Sequence, residues 1–239
     1  MKPKRRRKQL FENSGIYFFG LFLLAIAGFW PSYFAKLFDG TADFSFYFHF
    51  HTVIVTSWVF MLISQPLLIR LNNNKLHRFI GTTSYFLVPL IYISVLLLKH
   101  SLITGKEENL GIILWIPLKD LLLFSVGYLI AIRYRKNVAL HARGMIVTGI
   151  VFIEPALVRL INNLSIAFPK FISNGYLLTI FLIYGLIISL IIVERKHKKG
   201  RWIFPLTLML YIFVHAVIIF KINSPLQKFA EWFSHLPLT

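Results

Sequence analysis

Stretches of about twenty apolar residues alternate along the chain with short polar segments, and a helix of that length, at about 1.5 Å per residue, spans a hydrocarbon core of about 30 Å. The stretches fall at about 15–38, 46–70, 79–99, 111–133, 143–163, 175–193 and 202–222. They predict an all-α integral membrane protein, a seven-transmembrane-helix bundle. Flexible linkers and low-complexity tracts are missing, so 1–239 reads as a single membrane domain. Apolar residues make up 57% of the 239 positions, with 24 Phe and a mean hydropathy of +0.69. A soluble domain holds about 45–50% apolar residues, so a water-soluble fold is not expected.

The charged start MKPKRRRKQL resembles that of a signal peptide. The apolar run that follows, from Gly15 to about Phe38, exceeds the roughly 7–15 residues of a signal core and ends without a small-x-small cleavage site. It reads as a retained first helix.

The net charge of +17 changes the picture from a count of helices to a direction. Of the 26 Lys and Arg, 18 lie in Lys2–Lys8, Arg70–Arg78, Arg133–Arg143 and Arg195–Arg201, and six lie in the opposite loops and tail. The positive-inside rule then puts the N-terminus in the cytoplasm and the C-terminus outside. The basic loops meet anionic lipid headgroups rather than nucleic acid, and the expected location is the cell membrane, multi-pass, as in a bacterial inner membrane. The absence of Cys excludes disulfides, thiolate metal sites, iron–sulfur clusters and a cysteine nucleophile.

Polar groups inside spans are costly and normally face the bundle or a wet cavity. His51, Trp58 and Gln65 are spaced by seven residues, and since a seven-residue step drifts only about 20°, they share one face. That face is either a packing stripe or the lining of a site. His49 and His51 point to one side only if the chain is extended there, as in some zinc sites; on a helix they diverge by about 200°.

His141 and Arg159 are five turns apart on one face of the fifth span, while Glu154 lies about 140° from Arg159 on an ideal helix, so an ion pair between them is not expected. In the fourth span Lys119 is long enough to snorkel outward, which leaves Asp120 needing a partner such as Arg159, His51 or His215. His215 lies well inside the last span. At the basic boundary, His77 with Arg78 and His141 with Arg143 suit a phosphate or lipid headgroup through charge-assisted hydrogen bonds, or serve only as topogenic interface residues. The segments KLHRFIGTTS and ALHARGMIVT, 64 residues apart, allow a parallel internal repeat.

His51-x6-Trp58-x6-Gln65, Leu76-His77-Arg78-x2-Gly81 and His141-x-Arg143-x-Met145 with Arg159-Leu160 together resemble a group of uncharacterised bacterial multipass membrane proteins, over the second to fifth spans. This chain has Ala142 and Gly144 where that group's fifth-helix motif varies. The resemblance implies architecture and candidate positions without a reaction. A fainter similarity links the histidine layout to small di-haem b-type cytochromes, although His77 and His141 lie nearer the membrane edge than the ligands of that family.

Four readings follow, centred on a polar, histidine-containing site in the outer half of the bundle. In a haem-binding redox protein, His51 and His215 would hold an outer haem b, and His77 and His141 an inner one. In a proton-coupled transporter or small-ligand binding protein, Gln65, Asp120, Glu154, Arg159 and His215, beside Trp58, would line a polar cavity. In a metal-dependent membrane hydrolase, His51, His215 and a carboxylate would bind the metal. A purely structural or assembly role is the fourth.

Overall fold

A computed structural model describes residues 11, 13–168, 174–222 and 224–239; the basic stretch Lys2–Lys8 and Lys170 lie outside the described residues. Among the described residues there are helices and no strand. They are α1 (Ser14–Phe29), a π-helical turn (Trp30–Phe34) leading into α2 (Ala35–Phe38), α3 (Phe46–Arg70), α4 (Asn74–Thr82) and α5 (Ser84–Ser101). The order continues with α6 (Leu110–Arg133), α7 (Val138–Ala167), α8 (Gly175–Glu194), α9 (Ile203–Ile219) and α10 (Ser224–Ser234).

Among the described residues, six helical stretches are long and apolar enough to cross a membrane: Ser14–Phe38, Phe46–Arg70, Asn74–Ser101, Leu110–Arg133, Val138–Ala167 and Gly175–Glu194. The seventh expected span, 202–222, forms the 17-residue apolar α9, about 25 Å long at 1.5 Å per residue. Large apolar side chains such as Phe181, Met209 and Phe213 are exposed, while Lys119, Arg143, Glu154 and His215 are buried. That inversion of the soluble pattern is what lipid as a solvent requires, and the architecture is that of a multi-pass membrane protein.

Asparagine side chains start three of the helices. Asn73 accepts from the N–H of Leu76, Asn137 from Ala139 and Leu140, and Asn174 from Leu177, each satisfying donors that a helix start leaves open. The caps lengthen two elements beyond the hydropathy pattern. His77 and Arg78, expected in a loop, sit on α4, and α7 begins five residues before 143, so His141 lies on its second turn.

Small residues let the central helices close. A Cβ on Gly144 of α7 would lie 2.6 Å from the Ala131 nitrogen and 2.7 Å from the Gly127 oxygen of α6, so only glycine permits this approach. Likewise, a Cβ on Gly28 of α1 would clash with the Ala156 carbonyl oxygen of α7. The core built on these crossings includes Trp58, Leu62, Phe124, Ile183 and Tyr211. A second cluster seats α10 on α6 through Leu110, Leu114, Ala230 and Phe233, and Gln227 accepts from the Gly111 N–H at 3.0 Å.

Candidate functional site

The loop from α6 to α7 carries Arg135 and Lys136, and at the same end of the bundle Arg70 closes α3 while Lys75 and Arg78 lie on α4. There the starts of α1, α5 and α7, the later part of α4 and the last turns of α3 and α6 leave a cavity of 560 Å³. Its body is apolar, with Phe18, Met61, Leu62, Pro66, Met145 and Ile146 among its walls. From Met61 to Ile69 it follows α3 for eight residues, about 12 Å at helical rise. A volume in the roughly 300–1,000 Å³ range is that of a small-molecule site.

Polar groups enter this apolar space at two levels. Midway along that stretch of α3, Gln65 is only 9% exposed, and its Nε2 and the His77 Nδ1 are buried with no hydrogen-bond partner. An unmade hydrogen bond in such a place costs about 1–3 kcal/mol, so each atom calls for an explanation. His141 shares the cavity, and its Nδ1 lies 2.9 Å from the Ala131 carbonyl. A carbonyl only accepts, so Nδ1 carries the proton and Nε2 is the nitrogen left for other chemistry. At the mouth stand the exposed Arg78, Arg135 and Lys136, and Arg135 Nη1 donates to the Tyr85 hydroxyl at 3.0 Å.

A different polar group occupies the core further from the basic end. Lys119 on α6 is 1% exposed, and its Nζ donates to Asp120 Oδ1 and to Glu154 Oε1, each at 2.7 Å. Glu154 Oε2 accepts from His215 Nε2 at 3.2 Å, and His215 Nδ1 meets the Tyr184 hydroxyl at 3.1 Å. One chain of hydrogen bonds therefore runs Asp120, Lys119, Glu154, His215, Tyr184, tying α6, α7, α9 and α8. Pairing is what makes these charges tolerable away from water.

Several expectations change in this light. Lys119 does not snorkel; it is the partner of Asp120, and the adjacent pair shares its ammonium with Glu154. Of the five residues expected to line one outer cavity, four lie together, the Arg159 guanidinium being close enough to Asp120 for their charges to interact, and Gln65 lies apart. Gln65 opens on the basic-end cavity, Asp120, Glu154 and His215 are linked through Lys119, and Trp58 is fully buried edge-on against Phe124 and Tyr128. Arg159 donates to the Pro155 carbonyl at 2.8 Å and lies over the Phe29 ring, 4.4 Å from its centre.

His51 is bonded to Ser94 at 3.2 Å, and both nitrogens of His215 are engaged, which leaves His215 no lone pair for an iron or zinc ion. His49 and His51 are both helical, so they diverge. Among the described residues no three His, Cys, Asp or Glu side chains are grouped to hold a metal ion, and the hydrolase set of His51, His215 and a carboxylate is not formed.

Arg143 is likewise not open to a headgroup. It is fully buried, pairs with Glu194 of α8, donates to the Ala139 carbonyl at 2.8 Å and stands over the Phe11 ring. Comparison with protein-family models, curated proteins and solved structures returns no match.

Sequence reasoning missed Lys119 as the centre of the buried chain, Glu194 as the partner of Arg143, and Tyr85, Arg135 and Lys136 at the cavity. It also missed α10. For α10 a signal was present, since Leu226, Phe229, Ala230 and Phe233 follow the i, i+3, i+4, i+7 spacing of an apolar helix face. For Arg143 and Glu194, 51 residues apart, no local pattern points from one to the other.

Proposed function

We propose that the protein is a seven-helix membrane protein, N-terminus in the cytoplasm and C-terminus outside, that binds a small ligand in the cavity at its basic end. The observation that carries this reading is the pair of buried, unpartnered polar atoms, Gln65 Nε2 and His77 Nδ1, in an otherwise apolar cavity of 560 Å³. A ligand oxygen placed there supplies an acceptor for Gln65 Nε2, and the apolar walls supply burial. The charge asymmetry of the loops supports the orientation and makes this the cytoplasmic end.

The chain has no Cys, so a single introduced thiol reports on the cavity cleanly. Ala142→Cys, on the cavity wall, is compared with Lys198→Cys in an exposed loop and Val151→Cys in the core. The cavity reading expects Ala142→Cys to react with a small maleimide at a rate near that of Lys198→Cys, and, in oriented vesicles, with an impermeant reagent from the cytoplasmic side only. Reaction as slow as that of Val151→Cys overturns the cavity, and reaction from the opposite side overturns the orientation.

A second reading has one specific observation in its favour. The bond from His141 Nδ1 to the Ala131 carbonyl is the arrangement that orients a metal-ligating histidine, with Nε2 free. His77 lines the same cavity, so a haem b held by these two would sit at the inner pair rather than at His51 and His215. Absorbance spectra, oxidised and dithionite-reduced, of protein expressed with haem precursor test it. A Soret band lost in His77→Ala and His141→Ala supports haem; a colourless wild type removes it.

A further inference from the structure

Resting on the ligand-binding reading above, we propose that the ligand is an amphiphile with an anionic, phosphate-bearing head and an acyl ester, drawn from the lipid of the inner leaflet. Among the described residues that line the cavity, the Lys and Arg are Arg78, Arg135 and Lys136, and none is Asp or Glu. None of the three is ion-paired to a carboxylate among the described residues, in contrast to Arg143, which has Glu194. Three cations at one mouth, with no carboxylate among the described lining residues, form an anion site. Arg135 is also held in place, because its Nη1 is spent on Tyr85 while its remaining N–H groups are left for another acceptor.

The rest of the cavity distinguishes a lipid from a free anion. An inorganic anion needs the mouth alone, yet the cavity continues inward past Gln65 to the apolar Leu62 and Met61 of α3. Between mouth and walls lies the Gln65 amide, a donor without an acceptor. Phosphate at the arginines, an ester carbonyl at Gln65 Nε2 and an acyl chain along Met61, Leu62 and Met145 match that order of chemistry. The mouth is also at the basic end, where headgroups of a negatively charged leaflet would lie.

The test is native mass spectrometry of the detergent-purified full chain, titrated with phosphatidylglycerol, phosphatidylcholine and inorganic phosphate. The variants are Arg78→Ala/Arg135→Ala/Lys136→Ala, a charge-matched control Lys196→Ala/Lys198→Ala/Lys199→Ala in another exposed basic segment, and Ala142→Phe, which fills the cavity. We expect phosphatidylglycerol to bind about tenfold or more tightly than phosphatidylcholine, as charge-assisted hydrogen bonds to phosphate allow. The preference is lost in the mouth variant, kept in the control, and all lipid binding is lost in Ala142→Phe.

Equal affinity for the two lipids, abolished by Ala142→Phe, overturns the anionic class and leaves the ligand cavity standing. Inorganic phosphate displacing phosphatidylglycerol at equal concentration makes the site one for a free anion and overturns the lipid. Lipid binding unchanged by Ala142→Phe puts the lipid elsewhere and sinks this proposal, while the cysteine accessibility of residue 142 judges the cavity separately. Should a variant fail to fold, wild-type binding is followed against salt: the preference for phosphatidylglycerol must shrink as salt rises, and a salt-independent preference refutes the cation site.

Discussion

Lys119 and Glu154, 35 residues apart in the chain, meet at 2.7 Å between α6 and α7, with both side chains buried. The ammonium also holds Asp120 at 2.7 Å, so two carboxylates depend on one cation. Removing that cation leaves uncompensated charge in the core, and breaking a buried pair costs about 3–5 kcal/mol. Lys119→Met is therefore expected to lower the unfolding midpoint in detergent strongly, with part of the loss recovered in Lys119→Met/Glu154→Gln. A midpoint unchanged by Lys119→Met would show that the chain of charges contributes nothing to stability.

His215 completes the chain from the far side of Glu154. His215→Phe keeps an aromatic ring among Tyr176, Tyr184 and Tyr211 while deleting the bonds to Glu154 and Tyr184. A double-mutant cycle of His215→Phe with Glu154→Gln should give a coupling of about 0.5–3 kcal/mol, the range for residues in one network. Additive effects would mean that the 3.2 Å contact carries no energy of its own.

The crossing of α6 and α7 yields a prediction of steric origin. A Cβ at Gly144 meets backbone atoms at 2.6 and 2.7 Å, which cannot rotate away, whereas one at Gly20 in α1 meets nothing within 4 Å. Overpacking of this kind costs about 1–3 kcal/mol. Gly144→Ala should lower the unfolding midpoint, and Gly20→Ala should leave it level or raise it slightly through helix propensity. Equal responses of the two variants would contradict the close approach.

Arg143 and Glu194 join α7 to α8 as a buried pair. Arg143→Leu strands a carboxylate that is 4% exposed and is expected to destabilise by about 3–5 kcal/mol. The double variant Arg143→Leu/Glu194→Leu removes both charges and should recover most of that loss, since an apolar pair of similar volume often replaces a buried ion pair without penalty. Thermal unfolding of the three proteins decides it, and a double variant no better than the single one counts against the pairing.

Much of the helical scaffold was readable from local properties. Hydropathy located the long apolar stretches to within a few residues where no cap intervened, as in α3 and α6. It misjudged ends where an asparagine side chain extends the helix, as Asn137 does for α7 and Asn73 for α4. It passed over α10 because eleven residues with Lys228 and Glu231 on one side are amphipathic rather than apolar.

The candidate site was less legible. His77, Arg78, Gln65 and His141 stood out as polar residues in or beside spans, and all four line the cavity. Arg135 and Lys136 looked like any other loop cations. Spacing along α3 placed Trp58 and Gln65 on one face, yet neighbouring helices cover Trp58 with Phe124 and leave Gln65 open to the cavity. Asp120 and Glu154, expected to line an outer cavity, are joined instead by the Lys119 ammonium.

The chain's residues settle, one segment at a time, which stretches are helical and apolar enough for a membrane and which loops are basic, because length, hydropathy and charge are properties of consecutive positions. Which polar groups meet is settled only when the helices pack. Partnership depends on the rotation of each helix about its axis, on glycines that let α6 and α7 touch, and on the relative depth of residues far apart in sequence. A rotation by one residue, about 100°, would turn Glu154 away from Lys119, and it is the cost of leaving those charges unpaired in the core that selects the rotation observed.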